Sequence, residues 1–426
     1  MTDTSTSNTP GTSGLTETTP ERRQSLKATF DDYVVRLRGG DVGALPAIAG
    51  LIALVIVFTI LSGSHFTNAF NFANLILQGS AIAVFAMGLV FALLLGEIDL
   101  SAGYAGGVTA GVLGILMTNH GWPWVPALIL ALLCGTAIGL SIGLLVAKLG
   151  IPSFVVTLSY FLGLQGVLLL ETGAGGTIAY RNDAILAIMN KNMPLWLGWA
   201  LTVLTIAAYA GTSLRRQLGR ARAGLPTPPL VLWVFKSAFF AVVLLAATAY
   251  LSKERSRNVF LASLKGVPIV VPIVGALLVL LTFLLTRTAW GRHVYAVGGN
   301  AEAARRAGIR VAWVRISCLM MCSTLATVGG VLLASRTNSV NPQTGGAETL
   351  LYAVGAAVIG GTSLFGGKGR PLDGLLGAAV IAVIINGMTL QGQSQGRVYI
   401  ITGAVLLLAA SVDAISRRRA SASGRV

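Results

Sequence analysis

The stretch LLLGEIDLSAGYAGGVTAG (residues 93–111) places two carboxylates, Glu97 and Asp99, inside a run of otherwise apolar or small residues. An acidic side chain at the centre of a membrane span opposes insertion by about 2.5–3.5 kcal/mol. Gly96 and Ser101 flank the two acids, so we expect a break between two helices here rather than one continuous span. Asp99 or Ser101 would then be the N-cap of the helix that follows.

Two roles remain open for this pair of acids. Residues two apart in a helix point to different sides, so Glu97 and Asp99 are not expected to work together as an acid–base pair. One role is structural, as caps at a cytoplasmic turn. The other is functional, as groups in a translocation pathway or its gate.

The rest of the chain has the composition of a membrane protein. Of its 426 residues, 54% are hydrophobic and 11% are charged, whereas soluble globular proteins have about 25% charged residues. Apolar runs recur along the chain, each long enough to cross a hydrocarbon core of about 30 Å as a helix. The sequence therefore predicts an all-α polytopic membrane protein with about twelve spans, of which the short third and the Gly-rich tenth are alternatively broken or re-entrant. The predicted spans are residues 44–62, 73–95, 102–118, 124–147, 152–170, 194–210, 229–251, 267–286, 314–335, 350–366, 372–390 and 397–415.

The net charge of +16 would suggest a nucleic-acid partner in a soluble protein, but its distribution favours another explanation. Basic residues crowd the loops on one side of the predicted spans, which is the pattern produced by cytoplasmic retention of Arg and Lys. The weak exception is segment 252–258, which falls on the other side. We therefore expect both termini in the cytoplasm and no nucleic-acid partner.

The predicted organisation has one membrane domain between two polar ends. Residues 1–24 are rich in Ser, Thr, Gly and Pro and predict a disordered tail. Residues 25–43 predict either an interfacial amphipathic helix or a plain linker. The membrane domain, residues 44–415, is rich in small residues, which indicates closely packed helices, and residues 416–426 form a basic cytoplasmic tail.

The sequence contains no motif for catalysis, a cofactor or a metal. The segment GTSLFGGKG (residues 361–369) fails as a phosphate-binding loop because Gly369 stands where a Ser or Thr is required. The three histidines are scattered along the chain. Cys318 and Cys322 are one helical turn apart, but without His or carboxylate neighbours in sequence they predict ordinary packing rather than a metal site.

A cytoplasmic segment at residues 287–313 contains a predicted short helix. Asn300 can cap its start, Gly308 can end it, and Arg305 and Arg306 suit the negative end of the helix dipole. Such a helix is too short to be stable alone in water. It therefore needs a partner surface, either on another protein, which we favour, or on its own bundle.

A few polar residues lie within the predicted spans or beside them. Each can contact a transported molecule or form a hydrogen bond between helices. Together with the two acids they make up the candidate pathway residues: Glu97, Asp99, Ser101, Tyr104, Gln165 and Asn386. The segments 96–103 and 360–367 also share a weak similarity, which indicates either two related halves or chance in a Gly-rich chain.

Three motifs together resemble the permease subunits of bacterial monosaccharide ABC importers of the ribose and xylose type, whose wider family includes branched-chain amino acid permeases. They are GEIDLSAG (96–103), AVGGNAEAARRAGI (296–309) and GGTSLFGGKG (360–369). The ribose type has about ten spans, so the resemblance implies about two extra spans here, in an insert at about residues 213–265 that looks like the xylose branch. It also implies that segment 287–313 couples to an ATPase through Gly291, Arg292, Gly298, Gly299, Asn300, Glu302, Ala303, Ala304 and Gly308.

The resemblance implies the partners and the mechanism as well. Two permease copies would form the pathway in the bacterial inner membrane, two ATPase subunits would bind ATP and Mg²⁺ below it, and an extracytoplasmic sugar-binding protein would deliver the cargo. This chain would then be a non-enzymatic transport subunit without a cofactor of its own. The alternatives are an ion-coupled secondary transporter using Glu97 or Asp99, a membrane receptor or scaffold, and an ABC permease for amino acids or nucleosides.

Overall fold

The computed structural model describes residues 43–173, 175–225, 227–256 and 263–422, which are almost entirely helical. The predicted tail at 1–24 and all but one residue of the segment at 25–43 lie outside the described residues. The helices are α1 (Leu45–Ser62), α2 (Ser64–Thr67), α3 (Ala69–Leu94), α4 (Ala102–Thr118), α5 (Trp124–Ala147), α6 (Ser153–Thr172), α7 (Asp183–Asn190), α8 (Leu195–Arg222), α9 (Leu230–Leu251), α10 (Val270–Arg287), α11 (Ala289–Gly299), α12 (Ala301–Arg306), α13 (Val311–Thr337), α14 (Ala347–Ile359), α15 (Pro371–Leu390) and α16 (Gln395–Ala422).

Nine helices in the described part of the chain are long and apolar enough to cross a membrane: α1, α3, α5, α6, α8, α9, α10, α13 and α15. Three shorter apolar helices, α4, α14 and residues 395–411 of α16, fall on the remaining predicted spans. The structure therefore confirms a polytopic helical membrane protein.

The structure corrects three predicted boundaries. Helix α8 continues to Arg222 instead of ending near residue 210, because residues 211–222 contain good helix formers and no proline. Helix α14 ends at Ile359 rather than at residue 366, because two glycines follow and Gly361 has a φ of +113°. Helix α16 extends to Ala422, into the segment predicted to be a tail.

The core consists of α3, α4, α13, α14 and α15, and the other long helices surround it. The side chains of α3 are buried without interruption from Gly79 to Leu94. Against α13 lies a stripe of glycines on α5, where a Cβ at Gly139 would be 2.6 Å from the carbonyl oxygen of Leu319. Small residues thus bring helix backbones into direct contact, as expected in a membrane, where the hydrophobic effect does not drive helices together.

One end of the bundle contains two short strands and is called the strand end here. Strands β1 (Ile178–Ala179) and β2 (Ser339–Val340) pair there in antiparallel orientation, and α7 packs against α13 at the same end. The α6–α7 and α13–α14 connections meet at this end. The opposite end carries α11 and α12.

Candidate functional site

The three sequence motifs converge at the end of the bundle opposite the strands. The backbone N–H of Gly367 donates a hydrogen bond of 2.8 Å to the carbonyl oxygen of Leu94, the last residue of α3. A Cβ added at Gly298 would lie 1.9 Å from that same oxygen and 3.0 Å from the nitrogen of Gly367. We call residues 94–96, 298–299 and 365–367 the glycine junction.

Close approach of backbones explains the glycines of this junction. A Cβ at Gly366 would lie 2.9 Å from the carbonyl oxygen of Gly298 and 3.0 Å from the nitrogen of Gly96. Gly366 also has a φ of +86°, a conformation that residues with a side chain rarely adopt. Three segments that are about 70 to 270 residues apart in sequence therefore touch through their main chains.

Helices α11 and α12 pack against the bundle at the glycine junction. Thr288 caps α11 by accepting a bond of 3.1 Å from the N–H of Gly291, and Asn300 caps α12 by accepting one of 2.9 Å from the N–H of Ala303. Gly308, with a φ of +83°, follows the end of α12. The short helix predicted from the sequence is thus present, with the predicted cap.

One face of this helix pair is fixed to the bundle. Val294, Val297 and Ala304 are buried. The hydroxyl of Tyr295 donates a bond of 2.8 Å to the carbonyl oxygen of Gly369. Burial, and to a lesser degree nearby Asp373, raises the pKa of this phenol above its ordinary value, so the hydroxyl remains a donor even in alkaline solution.

The other face of the pair is open and charged. Glu302 is more than half exposed and forms ion pairs of 3.2 Å with Arg305 and 3.3 Å with Arg306. Exposed ion pairs of this kind contribute little to stability, so these charges are available to a partner. Of the residues implied in coupling, the exposed ones are Arg292, Gly299, Asn300, Glu302, Ala303 and Gly308, whereas Gly291 and Ala304 are buried and Gly298 lies in the junction.

The two acids of the opening stretch have different surroundings. Glu97 is partly buried, and its Oε1 lies 3.4 Å from Nε of Arg315, the fifth residue of α13. Asp99 is 1% exposed, and its Oδ1 accepts bonds from the backbone N–H (2.9 Å) and hydroxyl (2.6 Å) of Ser101. Asp99 therefore stabilises the start of α4, and Glu97 links the helix break to the segment that follows α12.

The structure does not bring the other candidate pathway residues into one cluster. Tyr104 is buried on α4 with its ring edge-on to Phe161, at a centroid distance of 4.9 Å. Gln165 is half-buried on α6. Asn386 lies near the strand end, where its amide and that of Asn71 exchange two hydrogen bonds of 2.9 Å.

Sequence reasoning missed two charged residues with notable positions. Arg315 is the partner of Glu97. In the sequence it could have been noticed as a cation at the second position of the predicted span 314–335. Glu171 ends an apolar run on α6, and its Oε2 is buried against Gly111 with no hydrogen-bond partner among the described residues. Among those same residues, no three metal-ligating side chains lie together.

The adjacent glycines of the junction give a matched test of its packing. Gly298→Ala should lower the free energy of unfolding by about 1–3 kcal/mol, because the new methyl group meets backbone that cannot yield. Gly299→Ala is the control, since no atom lies within 4 Å of a Cβ at that position. Thermal unfolding of the two purified variants measures the difference, and equal midpoints would contradict the described contact.

Comparisons with known proteins agree with the architecture. The family model of the branched-chain amino acid transport system, permease component, matches residues 71–410. The xylose transport system permease protein of Escherichia coli K12 is 34% identical over 372 residues, covering 87% of this chain and 92% of the relative. The ribose import permease protein of the same organism is 30% identical over 369 residues, covering 85% and 92%.

A fructose import permease protein of Rhizobium meliloti is 28% identical over 380 residues, covering 88% of this chain and 87% of the relative. No solved structure matches the chain. The family match spans the bundle from α3 to α16 and includes all three motifs of the glycine junction. This chain, a multi-pass inner-membrane protein, therefore belongs to the family of branched-chain amino acid transport system permease components and is similar to xylose and ribose permeases.

Proposed function

We propose that this chain is the membrane permease subunit of an ATP-driven importer for a monosaccharide, xylose or a similar pentose or hexose. The observation that carries the proposal is the exposed helix pair α11–α12 seated on the glycine junction. Its partner would be a separate ATPase subunit, which binds ATP and Mg²⁺, because the sequence of this chain has no phosphate-binding loop. The chain itself would be a transport subunit and not an enzyme.

The contacts of the helix pair make it suitable for transmitting motion. Gly298 touches the end of α3 and the α14–α15 turn, while α13 starts just after α12 and carries Arg315, the partner of Glu97. A displacement of α11–α12 by a partner would therefore displace three core segments together. Packed cores respond to such shifts by switching between discrete arrangements, as alternating access requires.

The proposed orientation follows the distribution of arginine. With the glycine junction in the cytoplasm, the basic loops of α8–α9 and α11–α12 are cytoplasmic, as are both termini. The strand end then faces the periplasm, where a sugar-binding protein would deliver the cargo. A second copy of the permease would complete the pathway, because the candidate residues of one copy do not form a cluster.

A sugar is favoured as cargo by chemistry as well as by similarity. Neutral sugars need hydroxyl partners and aromatic faces rather than a counter-charge. Buried Tyr104 with Phe161 and half-buried Gln165 offer such groups on α4 and α6. The xylose permease of Escherichia coli is the relative with the highest identity quoted above, and xylose is therefore the first substrate to test.

One observation favours a second candidate, a proton-coupled sugar transporter. Glu171 has a buried carboxyl oxygen without a hydrogen-bond partner among the described residues. Buried acids in transporters commonly carry protons. In that case the pathway would include α6, and the helix pair α11–α12 would be only a structural element.

Reconstitution separates the two candidates. The permease is placed in vesicles with or without its ATPase subunit and sugar-binding protein, and uptake of labelled xylose is measured. Uphill uptake should require ATP and both partners, and a proton gradient alone should give none. Gradient-driven uptake by the permease alone would refute the proposal and support the proton-coupled alternative.

Charge reversal on the open face tests the coupling role. Glu302→Arg should lower uptake in the complete system about tenfold. A partner surface that is complementary to Glu302 would then face a charge of its own sign, which is strongly unfavourable at an interface. The unfolding midpoint should be unchanged, since Glu302 is exposed. Glu302→Gln, which removes the charge without reversing it, is the comparison variant and should lower uptake less than Glu302→Arg. Normal uptake by the Glu302→Arg variant would contradict the coupling role.

The ion pair beside the junction can be tested by exchange of its charges. Glu97→Arg places two cations together and should lower xylose uptake per ATP hydrolysed by about fivefold, in line with about 1 kcal/mol for a partly exposed pair. The double variant Glu97→Arg/Arg315→Glu should recover most of the loss. A double variant as defective as the single one would show that the pair does not act as a unit.

A further inference from the structure

The α8–α9 hairpin is the least integrated part of the bundle. Its helices are joined to each other by the Thr202–Thr248 hydroxyl bond of 2.7 Å and by the Tyr209–Phe240 ring contact of 4.5 Å. Packing against the remaining bundle is concentrated at the strand end, where Leu251 shares a small apolar cluster with Ala73 of α3. The half of the hairpin near the junction end is therefore surrounded by something other than this chain.

The free half of the hairpin is too long to stay within the hydrocarbon core. Helix α8 has 28 residues, which correspond to about 42 Å against a core of about 30 Å. Its last eight residues, slightly more than two turns, therefore extend to the level of the lipid headgroups and beyond. Those turns carry Arg215, Arg216, Arg220 and Arg222, all of them exposed.

The charge on the hairpin has one sign. Residues 195–251 contain five basic and no acidic residues. None of the four arginines belongs to an ion pair formed within the described parts of the chain. Arg216 and Arg220 are four residues apart and thus lie side by side, with about 5–6 Å between their Cβ atoms. Guanidinium groups in this arrangement suit phosphate oxygens.

The neighbouring helix supplies an apolar surface beside these cations. On α9, Val231, Phe235 and Val242 are about two-thirds exposed. The pairing of the two helices, together with the bond from Gln217 to the carbonyl oxygen of Pro228, keeps this surface next to the arginines. The combination of acyl-chain surface and phosphate partners is the chemistry of a phospholipid site.

We propose that the junction-end half of the α8–α9 hairpin binds anionic phospholipid, with Arg216 and Arg220 holding the phosphate and α9 contacting the acyl chains. Charge complementarity supports lipid over a second copy of this chain, because a two-fold contact there would bring ten cations together. The placement at the cytoplasmic leaflet rests on the proposed orientation, whereas the lipid site itself does not. A docking site for the ATPase subunit is the competing outcome of the test.

Lipid binding is measured on the detergent-purified permease by native mass spectrometry, with dioleoylphosphatidylglycerol and dioleoylphosphatidylcholine as probes. We expect phosphatidylglycerol to bind more tightly than phosphatidylcholine. This preference should decline as added salt screens the charges. Arg216→Gln/Arg220→Gln should weaken phosphatidylglycerol binding at least about fivefold, since one cation near an anionic surface contributes about that factor. Phosphatidylcholine binding should not change.

Two further variants separate the site from general effects. Arg181→Gln/Lys191→Gln removes the same charge at the strand end and should change phosphatidylglycerol binding less than about twofold. Arg216→Lys/Arg220→Lys keeps the charge and should retain most of the binding. If the Gln variant does not fold, this Lys variant still tests the site. The detergent assay does not depend on membrane sidedness, so its failure is distinct from a failure of the proposed orientation.

Three results would overturn the proposal. The first is wild-type protein that shows no preference for the anionic lipid, and the second is an equal loss of binding in the strand-end control. The third is a Gln or Lys variant that binds lipid normally but no longer co-purifies with the ATPase subunit. That result would assign the arginines to a protein partner.

Discussion

The hydrogen bond from the N–H of Gly367 to the carbonyl oxygen of Leu94 is the interaction on which the candidate site depends. Leu94 is the last residue of α3, and the final carbonyl groups of a helix have no partner within the helix. The α14–α15 turn supplies the missing donor. Because Gly298 packs against the same oxygen, one helix terminus organises three distant segments, and a side chain at Gly298 would force them apart.

This arrangement explains how a weak local structure gains a defined position. Helix α12 has six residues and would not persist alone in water. Its cap Asn300, the buried side chains of α11, and the backbone contacts beneath them hold it with its charged face outward. A segment that receives force from a partner and transmits it needs both firm packing against the bundle and an exposed face.

The molecule thus has parts with different degrees of integration. Helices α3, α13 and α15 share a continuous buried core, and the glycine junction ties their ends to the exposed helix pair. The α8–α9 hairpin, in contrast, touches this core mainly at the strand end, and the arginines at its other end form no ion pair within the described parts of the chain.

The sequence by itself determined the class of the molecule, the position of nearly every membrane helix, the break at residues 96–101, and the cap of α12 by Asn300. These features depend on hydropathy, on charge and on local hydrogen bonding, all of which act over a few neighbouring residues. Only the tertiary structure decided that the three glycine motifs meet, that Glu97 faces Arg315, and that Asn386 pairs with Asn71. It also showed the burial of Glu171 and the length of α8. The physical reason is that a contact between two backbones through glycine leaves no periodic side-chain pattern, and an ion pair separated by 218 positions leaves none either.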